Sequence, residues 1–145
     1  MNVARRILVV DDDPASCELV SYFLKSLGYR VATAPDGIRA LNMGDRDDIE
    51  LVILDLHMPA FDGFEVLAMF REREHARPVK VLALTGDDST EVREEFESRG
   101  IDGFLTKPVD LEGLREAVSR LMTAPALRER GLYGRVMERR LRQES

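Results

Sequence analysis

The sequence predicts an α/β fold in which one parallel sheet is covered by helices on both faces. Two observations carry this expectation. Short, almost purely apolar runs alternate with longer amphipathic ones from residue 7 to residue 122, which is the signature of successive βαβ units. The apolar runs are continuous rather than alternating, as strands buried on both faces are.

Five strands are expected: Ile7–Val10, Val31–Ala34, Leu51–Leu54, Val81–Leu84 and Gly103–Thr106, the last being the least apolar. Helix punctuation fills the gaps. Asp13 is placed to cap a first helix with Pro14 in its opening turn, and Gly28 to stop it. Leu19, Val20, Phe23, Leu24 and Leu27 recur on that helix at helical spacing and predict its buried stripe. A second helix is expected from Asp36 toward Met43, a third from Gly63 to about Arg73, and a fourth from about Asp88 to Arg99, closed by Gly100. Asp110 is the expected cap of a fifth, whose Leu111, Leu114, Val118 and Leu121 face the sheet.

A chain of 145 residues suits one domain with an appendage. Residues 1–123 read as that domain and 124–145 as an arginine-rich, helical C-terminal tail, in which Tyr133, Val136, Met137 and Leu141 recur at helical spacing. The formal charge of −6 is uneven. The tail holds six arginines against three glutamates, a net +3 that leaves −9 on the rest. So acidic a body disfavours direct binding of nucleic acid. No apolar run is long enough for membrane insertion and no leader pattern precedes the first strand, so a cytoplasmic location is expected. Cys17, the single cysteine, is expected as apolar filling.

An open parallel sheet binds its ligand beyond the carboxyl ends of its strands. That rule gathers Asp11, Asp12 and Asp13 after the first strand, Asp55 after the third, Thr85 after the fourth, and Lys107 with Pro108 after the fifth. Carboxylates meeting there at about 4 Å repel by roughly 4 kcal/mol at an effective dielectric of 20. Mg²⁺, a hard cation served by a few carboxylates and phosphate oxygens, is the natural offset, with Mn²⁺ as a possible substitute. An ammonium from Lys107 and a hydroxyl from Thr85 complete a set suited to phosphoryl transfer.

Val9-Val10-Asp11-Asp12, Asp55-Leu56-His57-Met58-Pro59 with Asp62-Gly63, Leu84-Thr85-Gly86 and Leu105-Thr106-Lys107-Pro108 occur in this order. Together they resemble the receiver domains of bacterial two-component response regulators over about residues 5–122. The resemblance implies a flavodoxin-like (βα)₅ three-layer sandwich with strand order 2-1-3-4-5. It makes Asp55 the site of phosphorylation by a sensor histidine kinase or a histidine phosphotransfer protein. Asp11, Asp12, Asp55 and the main-chain carbonyl of His57 become the Mg²⁺ ligands. Thr85 and Lys107 hold the transferred oxygens, and the Lys107–Pro108 bond is cis.

The resemblance further implies that Thr85 and Phe104 act as the switch, read by a downstream effector on the face of helix four, strand five and helix five. The side chains of His57 and Asp87 would tune the phosphoryl lifetime. Such a protein catalyses its own phosphorylation and dephosphorylation and is otherwise no enzyme.

Rival readings fit less well. A flavin- or nucleotide-binding flavodoxin-like protein needs a glycine-rich phosphate loop, and the loop after the first strand is acidic. A metal-dependent phosphatase with an aspartyl nucleophile needs an acid two residues beyond it, where His57 stands. A phosphorylation-independent interaction module would not need the complete Asp, Thr and Lys set. His75 is expected to be exposed. For the tail, a partner contact or a homodimer contact is expected.

Overall fold

The computed structural model describes residues 6–44, 48–56, 63–72, 79–86 and 89–122. Within these, five strands, β1 (Arg6–Val10), β2 (Arg30–Ala34), β3 (Ile49–Asp55), β4 (Lys80–Thr85) and β5 (Gly103–Thr106), alternate with α1 (Pro14–Ser26), α2 (Gly37–Gly44), α3 (Gly63–Glu72), α4 (Thr90–Ser98) and α5 (Leu111–Leu121). All strands pair in parallel, in the order β2-β1-β3-β4-β5. The tail beyond Met122, and with it the expected C-terminal helix, lies outside the described residues.

Strand periodicity divides the core into two layers, because successive side chains leave a strand on opposite faces. Leu8, Val10, Val52, Leu54, Val81 and Ala83 pack with Ala40 and Leu41 of α2 and Val66 and Leu67 of α3. Ile7, Val9, Leu51, Ile53, Leu82 and Leu84 pack on the other side with Val20 and Leu24 of α1 and Leu114 and Val118 of α5. Fully burying each such valine, leucine or isoleucine side chain contributes about 1.5–3 kcal/mol. From Leu51 in β3 and Val81 in β4 the central strands are therefore apolar until their carboxyl ends, where Asp55 and Thr85 stand.

The capping expectations match the structure at both ends of the fold. Asp13 accepts a hydrogen bond from the Ala15 amide at 3.2 Å with Pro14 opening α1, and Asp110 accepts from the amides of Glu112 and Gly113. Gly28 and Gly100 adopt φ of +99° and +80° just after their helices, the left-handed turn that glycine enters without a Cβ penalty.

One expectation needs correction. The stripe predicted for α1 includes Leu19, which is 52% exposed; Cys17, Val20, Ser21 and Leu24 form the buried face, and Phe23 and Leu27 are half-buried beside it. Both faces of this helix carry apolar residues, so periodicity alone left its rotation about the axis open by one position. Helix α4 begins at Thr90, within two residues of its expected start, with Ser89 Oγ accepting from the Val92 amide at 3.3 Å as its cap.

Polar contacts close the sheet at its amino end, away from the carboxyl ends. Arg6 grips Asp48 through Nε–Oδ2 at 2.6 Å and Nη2–Oδ1 at 3.1 Å, and Arg30 approaches the same carboxylate at 3.8 Å. The Arg6 hydrogen bond outweighs the opposing desolvation, and with the Arg6 and Arg30 charges it holds the Asp48 carboxyl below its ordinary pKa. Lys80 Nζ donates to the Leu121 carbonyl at 2.7 Å, a cation at the negative end of α5.

Candidate functional site

The site forms because the strands end level. Val10 pairs with Leu54, Asp55 with Leu84, and Thr85 with Thr106, so the residues following β1, β3, β4 and β5 emerge along one edge. Asp11, Asp12, Asp55, Thr85 and Lys107 arrive there from four separate strands. Backbone bonds hold the loops in place: the Asp11 amide donates to Ala34 O at 3.2 Å, the Leu56 amide to Leu84 O at 3.1 Å and the Lys107 amide to Thr85 O at 2.7 Å. The Lys107–Pro108 peptide is cis.

Asp11 is 2% and Asp55 4% exposed, while Thr85 is fully buried. Asp12 faces solvent. One carboxylate oxygen from each of Asp11, Asp12 and Asp55 lies within 4.8 Å of the others. Lys107 Nζ donates to Asp55 Oδ2 at 3.1 Å and stands 3.6 Å from Asp11 Oδ2. Desolvation pulls the ammonium down, but the Asp55 hydrogen bond and the charges of Asp55 and Asp11 outweigh it, and the net shift is upward. Lys107 is thus held as a cation.

Asp11 divides its oxygens between two tasks. Oδ1 accepts from the Asp13 amide at 2.9 Å, which fixes the turn. Oδ2 is buried and accepts no hydrogen bond among the described residues. Buried carboxylate oxygens are rarely left so. Three hard oxygen donors of three different carboxylates, one of them with a buried oxygen that accepts no hydrogen bond and meets only the Lys107 ammonium at 3.6 Å, fit Mg²⁺, which takes few protein ligands and keeps its other positions for water or phosphate.

His57 and Asp87 lie outside the described residues, as does His75. Phe104 is half-buried and packs against the layer of α2 and α3. A contact that sequence reasoning missed holds its outer side: the Arg93 guanidinium of α4 stands 5.0 Å from the ring centroid. Nothing in the spacing of residues 93 and 104 signals a cation–π pair between a helix and the strand after it.

A family model described as the response regulator receiver domain matches residues 7–119. The DNA-binding dual master transcriptional regulator RpaA of Synechocystis is 38% identical over 117 residues, covering 81% of this chain and 48% of the relative. The chain spans less than half the length of the curated relatives it matches first. Among solved structures, the chemotaxis protein CheY4 of Vibrio cholerae superposes with a TM-score of 0.77 at 32% identity, covering 83% of this chain and all of that one. The receiver domain of the sensor histidine kinase PA1611 of Pseudomonas aeruginosa superposes with a TM-score of 0.73 at 30% identity, over 82% of this chain and 98% of that one, and that structure has a magnesium ion coordinated in its active-site cleft.

Proposed function

Because this chain belongs to the response regulator receiver domain family of two-component phosphorelays, we propose that Asp55 is its phosphoacceptor and that the donor is a phosphohistidine on a sensor histidine kinase or phosphotransfer protein. One observation carries the reading: Asp55 is buried at a strand end with an ammonium on one oxygen and two further carboxylates within 4.8 Å. Asp11, Asp12 and Asp55 would hold Mg²⁺, which supplies charge neutralisation for the phosphoryl oxygens. Magnesium in the cleft of the PA1611 receiver supports this assignment.

In the transfer, a carboxylate oxygen of Asp55 forms the new O–P bond as the P–N bond to the donor imidazole breaks, and the imidazole leaves with the bonding pair. Lys107 is placed to follow the charge as it moves from the carboxylate to the phosphoryl oxygens, since its ammonium already touches Asp55. The Thr85 hydroxyl, in the neighbouring strand end, donates to one of those oxygens. Hydrolysis of the same bond returns the carboxylate, so the chain turns over no separate substrate.

The response passes from Thr85 to Phe104, whose ring lies between the core and Arg93. Phosphorylation draws the Thr85 hydroxyl toward the site and biases the ring's position, and a downstream protein reads the result on the surface of α4, β5 and α5. Incubation with Mg²⁺ and acetyl phosphate, followed by intact mass measurement, tests the assignment. One phosphoryl adduct on the wild type and none on Asp55→Asn is expected; an adduct on both, or on neither, overturns it.

A further inference from the structure

Arg93 of α4 is exposed, and its guanidinium stands 5.0 Å from the centroid of the Phe104 ring. A carboxylate is also within reach, because Glu97 follows one helical turn later and lines the same cleft. On this helix Glu95 and Arg99, at the same spacing, close to 3.2 Å. Arg93 and Glu97 make no ion pair among the described residues. Order along the helix accounts for the difference: an acid four residues before a base pairs well, and a base before an acid pairs less well. Asp102, the other acid at the cleft, is tied to β4. Its Oδ2 accepts from the Val81 amide at 2.8 Å, and its own amide donates to Val81 O at 2.9 Å.

The Phe104 ring is therefore held from two sides by unlike partners. Its inner side packs, as Val92 and Ile101 do, on the layer of α2 and α3, and its outer side meets the cation. A cleft of about 200 Å³ lies beside the pair, lined by Arg93, Glu97, Ile101, Asp102, Gly103 and Phe104. Ring and guanidinium both have room to move.

We propose that Arg93 is a positioning residue of the switch with two seats, one on the Phe104 ring and one on Glu97. Seated on the ring, the cation holds the ring where it lies. When the ring turns, the guanidinium loses its π partner and closes on Glu97. This role rests on the reading above, in which Phe104 moves in response to Asp55; it adds the group that resists the movement and the change that accompanies it at the surface. Glu97 carries its charge to solvent in one position and is neutralised in the other. A cation–π contact at an exposed site outweighs an ion pair of the less favoured order by a small margin, about two- to threefold in population. A bias of that size is one that a charge event at Asp55 can reverse.

Fluorine magnetic resonance of the full chain, with 4-fluorophenylalanine at position 104, tests the proposal, since the ratio of its two signals counts the two ring positions. Arg93→Ala is expected to shift that ratio about two- to threefold away from the position that dominates in the wild type. Arg93→Gln, of similar reach without the charge, is expected to do the same, and Arg93→Lys, which keeps a cation, to stay nearer the wild type. Glu97→Gln removes the second seat and is expected to shift the ratio by up to about twofold in the opposite direction, but to add nothing to Arg93→Ala. A ratio that Arg93→Ala leaves unchanged, or a second signal absent from both proteins, would overturn the proposal. So would a wild-type ratio in Arg93→Gln, which would make the contact plain packing, or an effect of Glu97→Gln that survives without Arg93. These arms are read before any phosphoryl donor is added, so their failure leaves the Asp55 assignment standing. That assignment falls instead by the missing mass adduct, which leaves the ratios as measured. An adduct on Asp55 that left the wild-type ratio in place would remove Arg93 from the switch while keeping Asp55 as the acceptor.

Discussion

Lys107 Nζ lies 3.1 Å from Asp55 Oδ2, so the ammonium occupies one side of the very carboxylate proposed to attack phosphorus. With Asp11 Oδ2 at 3.6 Å, it neutralises part of the acidic cluster in the absence of a divalent ion. The same charge opposes a second cation in the same place.

Lys107→Ala therefore separates two effects. Mg²⁺ affinity is expected to rise several-fold, because a competing positive charge is removed. Phosphorylation of Asp55 by acetyl phosphate at saturating Mg²⁺ is expected to slow by about 10²-fold, the cost of losing one preorganised donor to developing charge. Mg²⁺ titration by calorimetry and the rate of mass gain check both; a fall in Mg²⁺ affinity would show that Lys107 supports the metal site rather than opposing it.

Asp12 is the exposed member of the three-carboxylate group. At separations near 4.8 Å its charge costs the metal-free fold about 1 kcal/mol, on the solvent-screened side of the Coulomb range. Asp12→Ala is expected to melt a few degrees above the wild type in chelator, and to lose most of the stabilisation that Mg²⁺ gives the wild type. Thermal melts with and without Mg²⁺ decide this, and a lower melting temperature in chelator sinks it.

Much of this site was legible in the sequence because strand ends are marked twice, by the apolar run that stops and by the polar residue that follows. Asp11, Asp55, Thr85 and Lys107 stand where that rule placed them, and the strand order agrees with the one implied by the resemblance. Contacts between elements distant in sequence carried no such mark. Arg6 finds Asp48 across 42 positions, and Arg93 covers Phe104, through tertiary packing that no local period encodes. Leu19 misled for a related reason: on a helix with apolar residues on both faces, a shift of one position turns the buried face by about 100° and carries Leu19 out to solvent.

Gly103 opens β5 with no side chain, and a Cβ there would come within 2.9 Å of Leu82 Cδ1 and 3.2 Å of Leu121 Cδ1. Leu82 is fully buried, so it has little room to yield. Gly103→Ala is expected to cost about 1–3 kcal/mol through overpacking, measured as a lower urea midpoint with an unchanged slope. An equal or higher midpoint would mean that the two leucines repack freely.

Cys17 lies on the buried face of α1 beneath the acidic loop. Burial first, then the charges of Asp11 and Asp13, push its thiol above the ordinary value. Only the thiolate reacts with alkylating reagents, and each unit of pKa removes about a tenfold share of it. Iodoacetamide at neutral pH is expected to modify the native protein more than about tenfold more slowly than the protein in urea. Equal rates would place the thiol in contact with solvent.

Asp48 tests the other end of the sheet through acid stability. Its carboxyl is held below 3.8 in the folded state, so above 3.8 both states are ionised and the ion pair with Arg6 contributes in full. As the pH falls below 3.8 the unfolded chain takes up the proton first, and the contribution drains away until the folded carboxyl is protonated too. For a partly exposed bidentate pair this amounts to about 1 kcal/mol. Asp48→Asn is expected to be less stable than the wild type at pH 7 by that amount, and the gap is expected to close as urea unfolding is repeated at pH values stepping below 4. A gap that stayed constant through this window would mean that the stabilisation comes from packing of the Arg6 stem and not from the charge on Asp48.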